Sequence, residues 1–315
     1  MNRVASNEPT LPRAFAALAL TILAWALAPL ALKYFTGVMD GWTVNGLRYL
    51  FTAAFWLPLV AARRREIPPG RNIWRGAWIA AMFHMLGQAG WGLAPYYNDA
   101  SVMNFVSRAS FLLTIVAGFW LLRGERRLAR RPLFWVGVVA TLGGLVAMFA
   151  GGLHAGNTSV RGMGILLWTS ACWSLYAVQV RKRMHGYPAR LAFGAVSLLV
   201  VPGLTFALFV FGDWRAMFAL TTAQWALLAV SAWIGIALGH VLFYQALRAL
   251  GPVVAEGSLS LIPFVTFLAA HLVFGERLTR GQWLGGLLLI GAVFALLYAR
   301  RELTRAAIGV EHSGG

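Results

Sequence analysis

The chain has 315 residues, of which 59% are hydrophobic and only 12% are charged, and its formal net charge is +17. A soluble globular protein cannot bury this much apolar surface, so the composition excludes that class and indicates that lipid surrounds most of the chain. Membrane β-barrels show alternating polarity over about 10 residues, which this sequence lacks. We therefore predict an all-α polytopic membrane protein.

Ten segments are long and apolar enough to cross a bilayer, which takes about 20 residues per helix. We number them spans one to ten, and they cover 14–33, 42–62, 73–94, 99–122, 132–151, 161–181, 189–211, 224–247, 253–274 and 281–299. The short connections leave no room for a soluble domain. Span one is long and has no small-residue cleavage site, so we interpret it as a retained helix rather than a signal peptide.

The 27 Lys and Arg residues are spread unevenly over the connections. The clusters at 63–65, 123–131 and 181–183 all lie on the side of the N terminus. By the positive-inside rule we expect a multi-pass protein of the inner (plasma) membrane with both termini cytoplasmic. These clusters account for the positive charge beside anionic headgroups, and no nucleic-acid recognition module accompanies them, so we expect no nucleic-acid partner.

The chain contains two related halves. WLLRGERRL at 120–128 and HLVFGERLT at 271–279 each close an apolar span, and a Trp-x-Gly-x5-Gly helix follows both. Upstream, Thr21 and Trp25 match Thr169 and Trp173. Five spans per copy is an odd number, which predicts that the second copy enters the membrane inverted. We expect tails at 1–13 and 301–315, repeats at 14–152 and 161–300, and a linker at 153–160.

Several short motifs occur in matching order in the two halves. They are Gly124-Glu125-Arg126 and Gly275-Glu276-Arg277, Asn45-Gly46-Leu47-Arg48 at the start of span two, and Ser260-Leu-Ile-Pro263 in span nine. With the ten spans, this arrangement resembles the ten-helix EamA-type members of the drug/metabolite transporter (DMT) superfamily. The resemblance covers about residues 14 to 300.

The resemblance implies a secondary transporter of a small organic solute, such as an amino acid, a metabolite or a drug-like compound, with export favoured and a proton gradient as a usual energy source. It also implies alternating access to a cavity between spans one to four and six to nine, with spans five and ten at the periphery. One position departs from the repeat: Leu112 in span four corresponds to Pro263 in span nine. We therefore expect span four to lack the bend of span nine.

Spans five and ten have almost no polar side chains and contain the small-residue spacings Ala140-xxx-Gly144 and Gly281-xxx-Gly285. Such spacings let two helices approach closely. They are consistent with packing inside one chain or with a homodimer interface.

Two arginines lie within the predicted spans, Arg48 in span two and Arg108 in span four. Charged groups inside a membrane usually face a cavity or a partner. Each arginine could bind an anionic group of the solute through its guanidinium. The alternatives are an internal ion pair with Asp99 or Glu256, or an interfacial position of the charged end.

Glu256 is the only acidic residue clearly within a span, and it is the first candidate for proton coupling. The alternative is a first-turn glutamate that the helix N terminus stabilises. His84 and His240 are further proton-carrier candidates, or they form ordinary hydrogen bonds between helices. His84 shares a face with Gln88 and Trp91, and His240 shares one with Tyr244.

Trp25 and Trp173 lie too deep for an interfacial belt, so they could form walls for an aromatic or cationic solute or could be packing residues. The complete predicted substrate-binding set is Trp25, Arg48, His84, Gln88, Trp91, Asn104, Arg108, Trp173, Tyr176, His240, Tyr244 and Ser260. Prolines remove a backbone hydrogen bond and bend a helix. We therefore predict gating bends at four positions: Pro29, Pro58, Pro202 and Pro263.

Motifs for several other activities are absent from the sequence. It has no P-loop, no His-Glu-x-x-His, no Cys-x-x-Cys and no Gly-x-Ser-x-Gly, so we expect no enzyme, no metal and no cofactor. Two alternatives stay open: an intramembrane enzyme with a Ser/His site, and a membrane scaffold that transports nothing. The expected partners are a small solute and the lipid bilayer.

Overall fold

The computed structural model describes residues 9–150, 159–274 and 277–313, and the secondary structure within them is entirely helical. Seven spans are continuous α-helices: Leu11–Phe35, Gly41–Ala62, Ile73–Leu93, Pro132–Phe149, Val160–Arg183, Ala189–Phe211 and Arg280–Ser313. Span four comprises Ala100–Val106 and Ala109–Leu121. Span eight comprises Thr222–Ala232, a π-helix at Trp233–Leu238 and Gly239–Leu250. Span nine comprises Pro252–Ser258, a 3-10 turn at Leu259–Leu261 and Ile262–Phe274.

Nine of the spans in the described ranges are long and apolar enough to cross a bilayer. The remaining one, span three, has 21 residues and contains Arg75, His84 and Gln88, which lower its hydropathy. It is nevertheless packed between spans six and seven. The predicted fold class, an all-α polytopic membrane protein, is confirmed.

Local sequence determines where several spans begin. Asp40 accepts hydrogen bonds from the backbone N–H groups of Trp42 and Thr43 at the start of span two. Asn72 caps span three in the same way. Thr221 and Gln224 form a reciprocal capping box before span eight. Each cap satisfies N–H groups that the first turn of a helix leaves unpaired.

Equivalent spans of the two halves run antiparallel. In spans two and seven, Gly46 lies against Leu204 and Leu208, whereas Gly194 lies against Trp56 and Val60. Residue numbers therefore rise along one helix as they fall along the other. Spans five and ten show the same order, because Gly137 packs on Leu296 while Gly281 packs on Ala147. This geometry is the one expected for inverted repeats.

The small residues of spans five and ten bring these two helices together within one chain. A Cβ added to Gly285 would lie 2.4 Å from the carbonyl oxygen of Gly144, and one added to Gly281 would lie 2.6 Å from that of Ala147. The close backbone approach accounts for Gly144, Gly281 and Gly285 without a second copy. The possible homodimer stays a prediction.

Span four is broken, contrary to the expectation based on Leu112. The first helix ends at Val106 and the second begins at Ala109, with i+3 hydrogen bonds from Ser110 to Ser107 and from Phe111 to Arg108. Ser170 of span six lies 3.4 Å from the carbonyl oxygens of Val106 and Ser107. The single hydroxyl proton of Ser170 has its shortest bond to the Leu166 carbonyl oxygen, at 2.8 Å. The i+3 bonds keep the Ser107 and Arg108 carbonyls paired at the break, so proline is not required.

One sequence-derived boundary, the end of span ten, differs from the structure. Span ten continues as a helix to Ser313, so the residues expected to form a C-terminal tail from 301 extend that helix. The predicted linker at 153–160 falls largely on residues outside the described part, as do Gly275 and Glu276. Glu125 of the first motif is among the described residues. Its carboxylate pairs with Arg300 at 3.0 Å, and this ion pair joins the end of span four to span ten.

Candidate functional site

A central cavity lies where the two halves meet. Its volume is about 80 Å³, and side chains from spans one to four and from spans six, eight and nine form its wall. The spans that resemblance placed around a cavity therefore line one, apart from span seven. Spans five and ten do not contribute to the wall.

Most of the predicted substrate-binding residues contribute to this wall. They are Trp25, Arg48, Gln88, Trp91, Asn104, Arg108, Trp173, Tyr176 and His240, and the proton-coupling candidate Glu256 joins them. These residues come from both halves and are far apart in sequence. Their convergence is a property of the tertiary structure, while their role in binding stays a prediction.

The other three predicted binding residues lie behind the wall. His84 and Tyr244 belong to a buried cluster on one side of the cavity, and the Ser260 hydroxyl is buried without a hydrogen-bond partner among the described residues. None of these three side chains lines the cavity, so in this conformation a solute in the cavity would not contact them. They are neighbours of the wall, and their individual roles stay predictions.

Arg108 lies at the break in span four and reaches the break in span nine. Its Nη1 donates to the carbonyl oxygen of Leu259 at 2.8 Å, and its Nη2 donates to Ser107 Oγ at 3.1 Å. Leu259 follows Arg108 by the same number of residues as Gly275 follows Gly124. Leu259 is therefore the position in span nine that is equivalent to Arg108. The guanidinium is thus a second donor to a carbonyl at the break of the equivalent span, in addition to the Ile262 N–H that closes the 3-10 turn.

Glu256 lies in the short first helix of span nine and is only 6% exposed. Ser110 Oγ donates to its Oε2 at 3.2 Å. No Lys or Arg nitrogen of the described residues comes within 4.0 Å of this carboxyl group, so it forms no direct ion pair there. The predicted alternative in which Arg108 and Glu256 form an ion pair is therefore wrong in this conformation. A carboxyl group that faces a cavity can exchange a proton with water or solute in that cavity.

Arg48 enters the cavity wall from span two and is 3% exposed. Its Nε donates to Ser231 Oγ at 3.2 Å, and its Nη2 donates to the Ser231 carbonyl oxygen at 3.3 Å. Ser231 lies just before the π-helix of span eight. The guanidinium thus links spans two and eight through uncharged acceptors.

Aromatic rings form much of the remaining wall. Trp91 and Trp173 have ring centroids 5.0 Å apart, and Trp25 lies 4.8 Å from the ring of His240. Trp25 Nε1 donates to the carbonyl oxygen of Gly235 at 2.8 Å. That carbonyl belongs to the π-helix of span eight, and such π segments are frequent at functional sites. The equivalent tryptophans therefore occupy the same cavity.

A histidine–tyrosine cluster lies behind the wall, and we define it as Tyr49, His84, Tyr176, Phe193, His240 and Tyr244. The Tyr49 hydroxyl and His84 Nε2 are 2.8 Å apart, and the rings of His84 and His240 are 4.8 Å apart. Phe193 stacks on His240 with an interplanar angle of 9°. His240 and Tyr176 connect this cluster to the cavity, because both also line its wall.

The predicted gating prolines fall into different local structures. Pro58 and Pro202 lie inside continuous α-helices. Pro263 is the second residue of the helix that follows the turn in span nine. Backbone N–H groups in the first turn of a helix have no intrahelical acceptor, so the missing N–H of proline breaks no bond there. Pro29 lies in span one, and its side chain is outside the described part. Movement at any of these positions stays a prediction.

Sequence reasoning missed several wall residues: Ser110, Gly235, Ile236, Phe243, Leu259 and Ile262. Ser110 was missed because a continuous helix would place Phe111 beside Arg108. The 3-10 turn advances more degrees per residue than an α-helix and changes which side chains face the cavity. Only the polar pair Ser107 and Ser110 around Arg108 gave a sequence signal.

Comparisons with known proteins agree with this geometry. A model of the EamA-like transporter family matches residues 160–298. The uncharacterized protein PA1977 of Pseudomonas aeruginosa is 31% identical over 271 residues, which cover 85% of this chain and 88% of that protein. A solved structure titled only "Crystal structure of protein" has a TM-score of 0.69 at 18% identity, and covers 93% of this chain and 99% of its own. At that identity the structural likeness shows the fold alone.

Proposed function

Since the chain belongs to the EamA-like transporter family of the DMT superfamily, we propose that it carries a small organic solute through the central cavity by alternating access. Membership of this family makes the chain a multi-pass membrane transporter of the DMT type. The proposal adds the place of the solute, the mode of movement and the coupling. We also propose export from the cytoplasm as the direction, through an inner membrane with both termini inside.

The observation that carries the proposal is the opposition of two broken spans at the cavity. Spans four and nine are each interrupted next to it, and Arg108 of one break donates to the Leu259 carbonyl of the other. Transporters with inverted repeats bind solutes at such discontinuous helices, where unsatisfied backbone groups and side chains converge near the middle of the bilayer. A channel or a scaffold has no need of this arrangement.

The wall suits an organic solute better than an inorganic ion. Tryptophans supply flat apolar surface, while Gln88, Asn104 and the arginines supply hydrogen-bond donors. Small-molecule sites typically combine mostly apolar walls with a few placed polar groups. The same composition gives an ion no cage of oxygen ligands.

Alternating access requires some helices to stay packed together while others change their orientation. Spans two and seven are tied near both ends, by Asp40 to the backbone N–H of Asp213 and by Glu66 to Arg190. Spans five and ten are joined by close backbone contact. We propose that these two pairs move as units while the broken spans four and nine change their angle.

Glu256 is the proposed site of proton coupling. Its carboxyl group faces the cavity, bonds to Ser110 and lacks a direct ion pair among the described residues. It can therefore be charged in one state of the cycle and neutral in another without breaking a salt bridge. His240 lies in the same wall and is the second proposed proton carrier.

The contacts do not favour the alternative of an intramembrane enzyme. His240 Nδ1 bonds to the Ile236 carbonyl oxygen, and His84 bonds to the Tyr49 hydroxyl. A Ser/His nucleophile would need a serine hydroxyl within hydrogen-bond reach of one of these rings. Within the described part, no such serine–histidine bond is present.

Reconstitution in liposomes tests the proposal. Purified protein is placed in vesicles, and uptake of labelled amino acids and aromatic metabolites is measured with and without a pH gradient. We expect saturable flux of at least one solute class, and blockage of that flux when Gly235→Trp fills the cavity. Unaltered flux in that variant, or chemical change of the solute without flux, would contradict a carrier that uses this cavity.

A further inference from the structure

Arg48 is a buried charge whose hydrogen bonds to the described residues go only to uncharged groups. Both of its protein contacts are to Ser231, through a hydroxyl and a carbonyl oxygen, and neither acceptor is charged. A guanidinium has five N–H donors, and Nη1 makes no hydrogen bond to the described residues. Because Arg48 lines the cavity, these remaining donors are available to whatever occupies it.

Four carboxylates of the described residues have partners outside the cavity. Asp40 bonds at the start of span two, Glu66 pairs with Arg63 and Arg190, and Glu125 pairs with Arg300. Glu302 lies beside Arg131. Of the acidic residues described, only Glu256 lines the cavity, where two arginines do so. The wall therefore has an excess of positive charge.

Arg108 and Arg48 differ in what their bonds accomplish. Arg108 bridges the two broken spans, because it donates to the Leu259 carbonyl oxygen in the 3-10 turn of span nine. Arg48 donates to a residue within a helix, and Ser231 Oγ already donates to the Leu228 carbonyl oxygen. The bonds of Arg108 stabilise the breaks, whereas those of Arg48 orient a guanidinium towards the cavity. An ion removed from water is costly unless a partner charge compensates it.

We infer that the transported solute carries an anionic group of the carboxylate type, that Arg48 binds this group, and that an aromatic or apolar part lies against Trp25, Trp91 and Trp173. The inference rests on the proposed function, since it names the class of solute for the same cavity. A planar guanidinium binds a carboxylate through two parallel N–H···O bonds, which is stronger and more selective than a contact with a neutral amide.

Matched solute pairs test the inference. Phenylacetate is compared with phenylacetamide, and indole-3-acetate with indole-3-acetamide, by thermal stabilisation of the purified protein and by competition in vesicles. We expect each acid to bind roughly tenfold more tightly than its amide, because the Arg–carboxylate bond is charge-assisted. Arg48→Gln should bring the ratio of acid to amide affinity close to one, and Arg48→Lys should keep a preference for the acid.

The controls separate charge recognition from structural support. Ser231→Ala removes one acceptor of Arg48 and keeps the charge, so the preference for the acid should persist. Arg130→Gln removes an exposed cation outside the cavity and should change nothing. A similar affinity of the wild type for acid and amide would overturn the inference, as would an Arg48→Gln ratio that stays at the wild-type value. Flux of neutral or cationic solutes without any effect of these acids would overturn the inference and leave the proposed carrier intact, whereas absence of flux for every solute would overturn both.

Discussion

Spans five and ten form one pair of equivalent spans, and spans four and nine form another. The contacts between the two helices differ from one pair to the other. Spans five and ten are continuous helices in glycine-mediated contact, with the backbone of Gly285 close to that of Gly144. Spans four and nine are both broken, and polar groups from Arg108, Ser110 and Glu256 lie between or beside the breaks. In lipid, a helix that keeps all its hydrogen bonds is suited to support, whereas a broken helix must find polar partners. The contrast separates a packing pair from a solute site within one repeated sequence.

The largest expected effect comes from placing bulk in the packing pair. Gly285→Leu would put a Cβ 2.4 Å from the Gly144 carbonyl oxygen, which forces spans five and ten apart. We expect a loss of about 3 kcal/mol or more in the free energy of unfolding. Size-exclusion profiles and melting temperatures in detergent measure it.

The matched control for this prediction is Gly143→Leu. A Cβ at Gly143 meets nothing within 4 Å, although Gly143 is the neighbour of Gly144 in span five. It should leave the elution profile and the melting temperature close to those of the wild type. Equal losses in both variants would show that the glycine contact is not what holds the pair.

Removal of Arg108 tests the broken pair and should affect transport more than folding. Arg108→Ala removes one donor from the Leu259 carbonyl oxygen, which keeps its bond from the Ile262 N–H, so the loss in the free energy of unfolding should be only about 1 kcal/mol. We expect the protein to remain folded and the flux to fall by about tenfold or more, because the geometry of both breaks depends on this bond. Arg127→Ala, an exposed arginine near the end of span four, is the control. Wild-type flux in well-folded Arg108→Ala protein would remove this bond from the transport mechanism.

Substitution of Glu256 should change the coupling of flux to the pH gradient while the side chain keeps its shape. Glu256→Gln keeps an acceptor for Ser110 Oγ but cannot release a proton. We expect downhill flux to continue while its dependence on the pH gradient disappears. Glu302→Gln, which alters an exposed carboxylate near the end of span ten, should keep the wild-type pH profile. A wild-type profile in Glu256→Gln would place the coupling elsewhere.

The smallest effect concerns the ties outside the membrane that hold spans two and seven together. Hydrogen bonds from Arg190 lower the pKa of Glu66 below its usual value. A carboxylate with a lowered pKa in the folded state stabilises the protein above its unfolded pKa, about 4.3, and this contribution is lost as the pH falls through the folded value. The melting temperature of the wild type should therefore fall more between pH 6 and pH 4 than that of Glu66→Gln, by a degree or two at most because the pair is exposed. Identical pH dependence in the two proteins would show that the tie contributes nothing.

The class, the number of spans, the duplication and most of the wall residues could be predicted from the amino-acid sequence alone. These follow from hydrophobic length, from charge placement and from repeated motifs, which are local properties of the chain. Trp25, Trp173, Gln88 and His240 were found because polar or aromatic groups at matching depth in two copies point to one cavity. The inversion of the second half followed from an odd number of spans.

Which of these residues face the cavity depends on how the spans pack against one another. Leu112 gave no sign of the break in span four, because the groups beside the break, Ser170 and Leu259, come from other spans. His84 and Tyr244 have the same spacing as wall residues, yet packing against Phe193 places them behind it. A helical pattern gives the face of a residue only while the helix is regular. Breaks and π segments change that phase, and they form only where neighbouring spans supply the missing hydrogen bonds.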